Sequence, residues 1–128
     1  MLFMKNGNTA EYIENYKNQL IFTNHQISAA IDKIISNSKR PVIIILQGDH
    51  GPGSGLHWDN PEKTNFHERM SILNAYYFFD RNYSKLYPSI SPVNSFGIIL
   101  NQYFGVPYTK QPDESYFSSW KHPYHLTK

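Results

Sequence analysis

The sequence predicts an α/β fold class, in which helices and short strands form layers around one core. Residues 11–36 carry apolar side chains at the spacing of an amphipathic helix. Residues 42–46 follow as a β-branched run without polar alternation, which is typical of a strand covered on both faces. A second helical pattern lies between Ser91 and Gly105. With 128 residues, of which 40% are hydrophobic, the chain has the size of a single domain spanning residues 1–128.

The first helix is predicted from an apolar stripe along one of its faces. Thr9 is a candidate N-cap, and Glu11 lies in the first turn, where a carboxylate is favourable. A break near Thr23 is an alternative, because the segment is long for a helix in a globular protein. The stripe consists of Ile13, Tyr16, Leu20, Ile27, Ile31 and Ile34.

Between the two helical patterns, the sequence predicts a strand, a glycine-rich loop, a short helix and a second strand. The loop spans residues 47–55 and lies at the C-terminal end of the first strand. The short helix is expected over residues 66–73 and the second strand over residues 75–79. Residues 80–90 are expected to form a turn-rich connection.

The last helix has the clearest predicted boundaries. Ser91 is a candidate N-cap, Pro92 suits the first turn, and Gly105 is a suitable C-terminal stop. Residues 106–128 show no helical or strand period and are expected to be loop-like and aromatic.

The composition excludes several classes of function. The formal net charge is +2 and the basic residues are scattered, so the basic surface of a nucleic-acid-binding protein is not expected. The chain has no cysteine, which excludes disulfides, thiolate metal sites and a cysteine nucleophile. The longest wholly apolar run, residues 42–46, is far shorter than the roughly 20 residues of a transmembrane helix. No transmembrane segment is therefore expected in this chain.

Asp49 and His50 are the candidate metal ligands. They follow the predicted buried strand, and ligands of open α/β sheets gather at the carboxyl ends of the strands. Carboxylate and imidazole groups bind zinc, manganese and similar divalent ions. Consecutive side chains of a strand point in opposite directions, so both can reach one ion only if the chain turns here, which Gly48 and Gly51 permit. The alternative is a simple turn in which Asp49 bonds to its own backbone.

His57 is a candidate for an additional metal ligand or a substrate contact, because it is close enough in the same loop to fold back toward this pair. The alternative is exposure, the usual state of a histidine without a role. A catalytic nucleophile is not recognisable in the sequence, since no Gly-x-Ser-x-Gly elbow occurs.

Three sequence elements, in this order, resemble the C-terminal part of a sulfatase-like hydrolase. They are QGDHGP at residues 47–52, RMSILNAYY at residues 69–77 and LYPSISPVNSF at residues 86–96. Such hydrolases belong to the alkaline phosphatase superfamily, and the resemblance is strongest to the membrane-associated bacterial group related to lipoteichoic acid synthase. It covers nearly the whole chain from about residue 12 onward.

The resemblance implies an α/β/α sandwich, of which this chain would be an incomplete C-terminal part. It also implies that Asp49 and His50 hold a divalent cation (Mn, Zn, Mg or Ca), whereas the other ligands and the nucleophile come from upstream. The substrate of the parent protein would be a phosphate or sulfate ester, and the parent would be membrane-anchored with an extracytoplasmic catalytic domain. We therefore expect a hydrolase or transferase fragment that needs the missing N-terminal part of the domain as its partner and is inactive alone.

One position departs from the resembled pattern. Relatives with the Asn-Ser/Thr-Phe sequence usually carry arginine in the next position, where this chain has Gly97. A glycine inside a helix costs about 1 kcal/mol relative to alanine. It also removes a partner for an anion or a carboxylate.

A non-catalytic binding or structural module is the alternative class of function. Aromatic residues make up 16% of the chain, and dense aromatic side chains can form a platform for a carbohydrate or a base. They can equally fill a core, because most of them are interleaved with aliphatic residues. An exposed aromatic surface would favour the binding module.

Overall fold

The computed structural model describes residues 8–128, so residues 1–7 of the predicted domain lie outside the described residues. In chain order, the elements are helix α1 (Thr9–Asn37), strand β1 (Ile43–Gln47), a 3-10 turn (Pro61–Lys63), helix α2 (Phe66–Met70), strand β2 (Asn74–Phe78) and helix α3 (Pro92–Phe104). The mixed α/β class is therefore confirmed. The strands of the described residues form a two-stranded sheet, and the layers of an α/β/α sandwich remain a prediction.

Helix α1 is continuous for 29 residues, so a break near Thr23 does not occur. Its N-cap is Asn8 rather than Thr9, because the Asn8 side-chain oxygen accepts a hydrogen bond from the Glu11 amide at 2.9 Å. Asparagine is at least as good a cap as threonine. Neither α1 nor any other helix in residues 8–128 is long and apolar enough to cross a membrane. The predicted stripe is half-buried at Tyr16, Ile27 and Ile31 and exposed at Ile13, Leu20 and Ile34.

Strands β1 and β2 pair in antiparallel orientation, with Ile43 opposite Phe78 and Gln47 opposite Asn74. Both predicted strands are confirmed, and the second begins at Asn74 rather than at residue 75. All five residues of β1 are half-buried, so the prediction of a strand covered on both faces is wrong within the described residues. Full burial on both faces is typical of parallel sheets between two helical layers, whereas here the residues on both faces of β1 are only partly covered.

The core lies between β2 and α3. Phe78 of β2 is fully buried, and its ring centroid lies 5.2 Å from that of Tyr83 and 5.4 Å from that of Tyr103 on α3. The hydroxyl oxygens of Tyr76 and Ser95 lie 2.6 Å apart and join the strand to the helix. The other buried apolar residues of the described chain are Ile98, Ile99 and Phe117. This core is small for a domain of this length.

Helix α3 begins after Ser91 and ends before Gly105, as predicted. Gly105 has a φ of 65°, the left-handed conformation that glycine adopts at helix ends. Ser91 occupies the N-cap position, but its side chain makes no capping hydrogen bond. Its amide and hydroxyl instead donate to Asp113 Oδ1 at 2.8 and 2.7 Å. The segment after the helix thus supplies a carboxylate to the N-terminus of α3, where the helix dipole favours negative charge.

The Asn94 side chain holds residues 108–113 against helix α3 by hydrogen bonds. Its side chain is fully buried, and Nδ2 donates to the Gln111 carbonyl at 2.9 Å and to Asp113 Oδ1 at 2.7 Å. Its Oδ1 accepts hydrogen bonds from the Gln111 amide at 2.9 Å and from the Tyr108 hydroxyl. These bonds satisfy a buried amide, and they hold a segment that has no regular secondary structure, as predicted for this part of the chain.

The Asp113 carboxylate makes the stability of the chain sensitive to acid. Hydrogen bonds from Ser91 and from Tyr87 hold the pKa of Asp113 well below its ordinary value of 3.8. Because the folded state lowers this pKa, the contribution to stability is complete above the ordinary value and is lost as the pH falls below it. We expect the melting temperature to fall as the pH is lowered from about 4 to about 2, and to fall less in Asp113→Asn. Thermal unfolding followed by circular dichroism measures both.

Asp32→Asn is the matched control, because Asp32 is an exposed carboxylate on α1. This variant should keep the acid dependence of the wild-type chain. Equal acid dependence in Asp113→Asn and in the wild type would contradict the role given to Asp113.

Candidate functional site

A cleft of about 1090 Å³ opens at the C-terminal end of β1. Its walls come from the loop after β1, helix α2, residues 86–92 and residues 113–118. All three sequence elements that carry the resemblance contribute residues to it. The charged and titratable side chains at the cleft include Asp49, His50, Arg69 and Asp113, and the aromatic ones are Trp58, Tyr76, Tyr87, Tyr116 and Phe117.

The structure brings Asp49 and His50 together at this cleft. Asp49 Oδ2 lies 3.5 Å from His50 Nε2. Asp49 Oδ1 accepts a hydrogen bond from the amide of the next residue, His50, at 3.0 Å. The Gly51 amide, which an Asx turn would direct to Asp49, instead donates to the Arg69 carbonyl. Both side chains face solvent, with 87% of Asp49 and 51% of His50 exposed.

The spacing of the two side chains can be compared with that of ligands on one ion. Two ligand atoms about 2.1 Å from a cation, at a tetrahedral angle, lie roughly 3.4 Å apart. The 3.5 Å between Asp49 Oδ2 and His50 Nε2 fits that spacing. Within residues 8–128, however, no three His, Cys, Asp or Glu side chains come together in a group that could hold a metal ion. The pair thus supplies two candidate ligand atoms at a suitable spacing, without a third in the described part of the chain.

The second ring nitrogen of His50 has two competing neighbours. Nδ1 lies 3.0 Å from the Gly51 carbonyl oxygen and 2.7 Å from Arg69 Nη1. A proton on Nδ1 would be donated to the carbonyl and would leave the Nε2 lone pair for a cation, as in metal-binding histidines generally. Arg69 favours the opposite tautomer, because a guanidinium group can only donate. Both neighbours thus restrict the orientation of the His50 ring, but each favours a different tautomer.

Helix α2 fixes the loop that carries the pair. The Gly51 amide donates to the Arg69 carbonyl at 2.7 Å, and a Cβ at position 51 would lie 2.0 Å from the Glu68 carbonyl oxygen. Glycine is needed there because two backbones approach closely, and not because of a left-handed turn. At Gly48, the nearest atoms to a Cβ would be 3.7 Å away, so this glycine meets no such constraint.

The structure does not bring His57 to Asp49 and His50. The His57 amide donates to Thr64 Oγ1 at 3.1 Å, and its carbonyl accepts from the same hydroxyl at 3.0 Å. The residue is exposed and does not line the cleft. Its role as an additional ligand or a substrate contact stays a prediction without a supporting contact.

Asp113 organises another part of the cleft. Its Oδ2 accepts a hydrogen bond from the Tyr87 hydroxyl at 2.7 Å. Burial, together with this hydrogen bond, raises the pKa of Tyr87 to about 12. The Lys110 ammonium lies 3.7 Å from the centroid of the Tyr87 ring. Because its oxygens are already shared among Ser91, Asn94 and Tyr87, this carboxylate shapes the wall of the cleft.

Two residues of the cleft are missed when the sequence is considered alone. Asp113 meets Ser91 across 22 residues of chain, and no local pattern marks that contact. Arg69 meets His50 across 19 residues. The available signal for Arg69 is its place as the first residue of the second resembled element, residues 69–77.

Gly97 lies outside the cleft. A Cβ at this position would lie 2.1 Å from Cε2 of the Tyr108 ring. Glycine is therefore a packing requirement at this point of α3, because the ring occupies the space that a side chain would fill.

The described residues thus define a mixed α/β chain with two converging metal-ligand candidates at a cleft. No family model, curated protein or solved structure matches the chain. The predicted resemblance to sulfatase-like hydrolases therefore rests on the three sequence elements alone.

Proposed function

We propose that the chain is the C-terminal part of a metal-dependent phosphoester or sulfoester hydrolase or transferase of the alkaline phosphatase superfamily. Asp49 and His50 contribute two ligands to a divalent cation. The observation that carries this proposal is the 3.5 Å separation of Asp49 Oδ2 and His50 Nε2 at the edge of a cleft. Because no nucleophile is recognisable in the sequence, the chain is expected to have no activity alone.

The proposed partner is the missing N-terminal part of the catalytic domain, which would complete an α/β/α sandwich. Two observations support this partner. The Asp49–His50 pair has no third ligand within residues 8–128. The side chains of β1 are half-buried, and α1 has no buried residue, as expected of surfaces on which further layers pack.

A bound divalent cation would stabilise the negative charge that develops on the transferred phosphate or sulfate group. Asp49 offers the cation a negatively charged oxygen, and His50 offers a neutral nitrogen. The Gly51 carbonyl, 3.0 Å from His50 Nδ1, orients the imidazole ring. Helix α2 holds that carbonyl in place through the Arg69 side chain, whose Nη1 donates to it at 3.0 Å.

The test is calorimetric titration of the full chain with Mn²⁺ and, separately, with Zn²⁺. We expect weak binding that falls at least about tenfold in His50→Ala, because one of two ligands is removed. His67→Ala is the matched control, since His67 is an exposed histidine on α2. Unchanged binding in His50→Ala, with circular dichroism showing a folded chain, would count against the proposal.

A non-catalytic binding module is the second candidate function, and the exposed aromatic residues favour it. Trp120 is 78% exposed and Tyr124 is 97% exposed. The Trp120 ring centroid lies 6.2 Å from that of Trp58, which lines the cleft. Exposed aromatic side chains of this kind serve as binding surfaces for carbohydrates and proteins. A melting temperature that does not respond to Mn²⁺, together with oligosaccharide binding that is lost in Trp120→Ala, would favour the module.

A further inference from the structure

Arg69 is a cation at the cleft without an acidic partner. Its guanidinium group forms no ion pair with an aspartate or glutamate of residues 8–128. The carboxylate of the neighbouring Glu68 is engaged elsewhere, by the Ser54 and Gly55 amides at 3.3 and 3.1 Å. Arg69 is half-buried, and a partly desolvated cation that no carboxylate neutralises favours an anion beside it. This arrangement indicates a place for an anion.

Three contacts orient the Arg69 guanidinium group. Nη1 donates to the Gly51 carbonyl at 3.0 Å and lies 2.7 Å from His50 Nδ1, and the guanidinium carbon lies 5.9 Å from the Trp58 ring centroid. An arginine has donors on Nε and Nη2 as well. Within the described part of the chain, these donors have no hydrogen-bond acceptor. They form the fork that binds an oxyanion through two parallel hydrogen bonds.

We propose that Arg69 binds a tetrahedral oxyanion, the phosphate or sulfate group of the ester substrate, through Nε and Nη2. The identity of this anion as a substrate group rests on the function proposed above. His50 connects the two parts of the site, because Nε2 lies near Asp49 and Nδ1 lies near Arg69. An anion on Arg69 therefore lies next to the position of the cation, which is where a transferred group must be bound.

The position of Arg69 also separates anion binding from cation binding within the site. Asp49 is negatively charged and repels a free oxyanion unless a cation lies between them. Arg69 supplies positive charge from the protein itself, so an oxyanion can bind before or without the metal. Anion binding and metal binding can therefore be measured independently in the same chain.

The experiment is a fluorescence titration of the full chain carrying Trp120→Phe, with sodium phosphate, sodium sulfate or sodium acetate at constant ionic strength. Trp58 is then the remaining tryptophan, and it lies against Arg69. We expect phosphate or sulfate to change its fluorescence, and Arg69→Gln to weaken that binding at least about tenfold. Arg81→Gln is the matched control, because Arg81 lies 5.3 Å from the Tyr77 ring centroid but does not line the cleft.

A second measurement needs no variant at the site. The NMR signal of the Arg69 Nε–H group in the wild-type chain should shift on addition of the anion, whereas the signal of Arg81 should not. Binding of phosphate alone supports a phosphoester site, and binding of sulfate alone supports a sulfoester site. Absence of binding, equally tight binding of acetate, or unchanged binding in a folded Arg69→Gln variant overturns the inference.

The two proposals fail in different ways. If Mn²⁺ binds equally to the wild type and to His50→Ala while anion binding is intact, the hydrolase site is rejected and Arg69 remains an anion site. Metal binding that depends on His50, without an Arg69-dependent effect of phosphate or sulfate, rejects the anion site and leaves the metal-ligand pair.

Discussion

Gly51→Ala is expected to lower the free energy of unfolding by about 3 kcal/mol. The added Cβ would lie 2.0 Å from the Glu68 carbonyl oxygen and 2.6 Å from the Ser71 carbonyl oxygen. Both are backbone atoms, so no side-chain rotation can relieve the overlap. The loop would have to move away from α2, and the hydrogen bond from the Gly51 amide to the Arg69 carbonyl, now 2.7 Å, would be lost. Urea unfolding followed by circular dichroism measures the change.

Gly48→Ala is the matched control within the same loop. Its nearest neighbours would be 3.7 Å from the new Cβ, so a change within about 0.5 kcal/mol is expected. Gly51→Ala should also weaken the binding of Mn²⁺ and of phosphate, because the Gly51 carbonyl contacts both His50 and Arg69. A Gly51→Ala variant as stable as the Gly48→Ala variant would contradict the close approach of the loop and α2.

The elements that depend on local signals are those that the sequence predicts well. Helix α3 carries its boundaries in its own residues, with proline in the first turn and Gly105 in a left-handed conformation at the end. Strand β1 follows from a β-branched run, and β2 differs from its predicted position by a single residue at each end. Helix α2 ends at Met70 instead of residue 73, since its short pattern fixes no stop.

The burial of these elements was not predictable, because it depends on what packs against them. The run that forms β1 is typical of a strand between two layers, yet its residues are half-buried. The cap of α3 shows the same limitation. Ser91 has the right position, but its hydroxyl donates to Asp113 at 2.7 Å instead of capping its own helix.

The candidate site shows the same difference between local contacts, which the sequence predicts, and tertiary contacts, which it does not. Asp49 and His50 are adjacent in sequence, so one turn of the chain is enough to bring their side chains together. Arg69 reaches His50 because α2 packs on the loop, which no local pattern reveals. His57 is near the pair in sequence but not in the structure, since its backbone is tied to Thr64 instead.

Gly97 shows how a tertiary contact can reverse a local propensity. In an open helix, glycine to alanine stabilises by about 1 kcal/mol. At position 97, the alanine Cβ would lie 2.1 and 2.2 Å from two carbons of the Tyr108 ring. We expect Gly97→Ala to destabilise the chain by about 2 kcal/mol instead, because the ring must move and its hydroxyl must leave Asn94. Arginine, the residue usual in the resembled pattern, should destabilise at least as much.

Removing the Tyr108 ring should change the effect of Gly97→Ala from destabilising to stabilising. In a Tyr108→Ala background the space beside position 97 is open, so Gly97→Ala should stabilise that variant by about 1 kcal/mol. Urea unfolding of the wild type, the two single variants and the double variant gives both differences and the coupling between the two positions. If alanine at position 97 stabilised the wild-type chain as well, Tyr108 would not pack on α3 as described. The glycine would then be an ordinary helix weakness, and an arginine could be accommodated there.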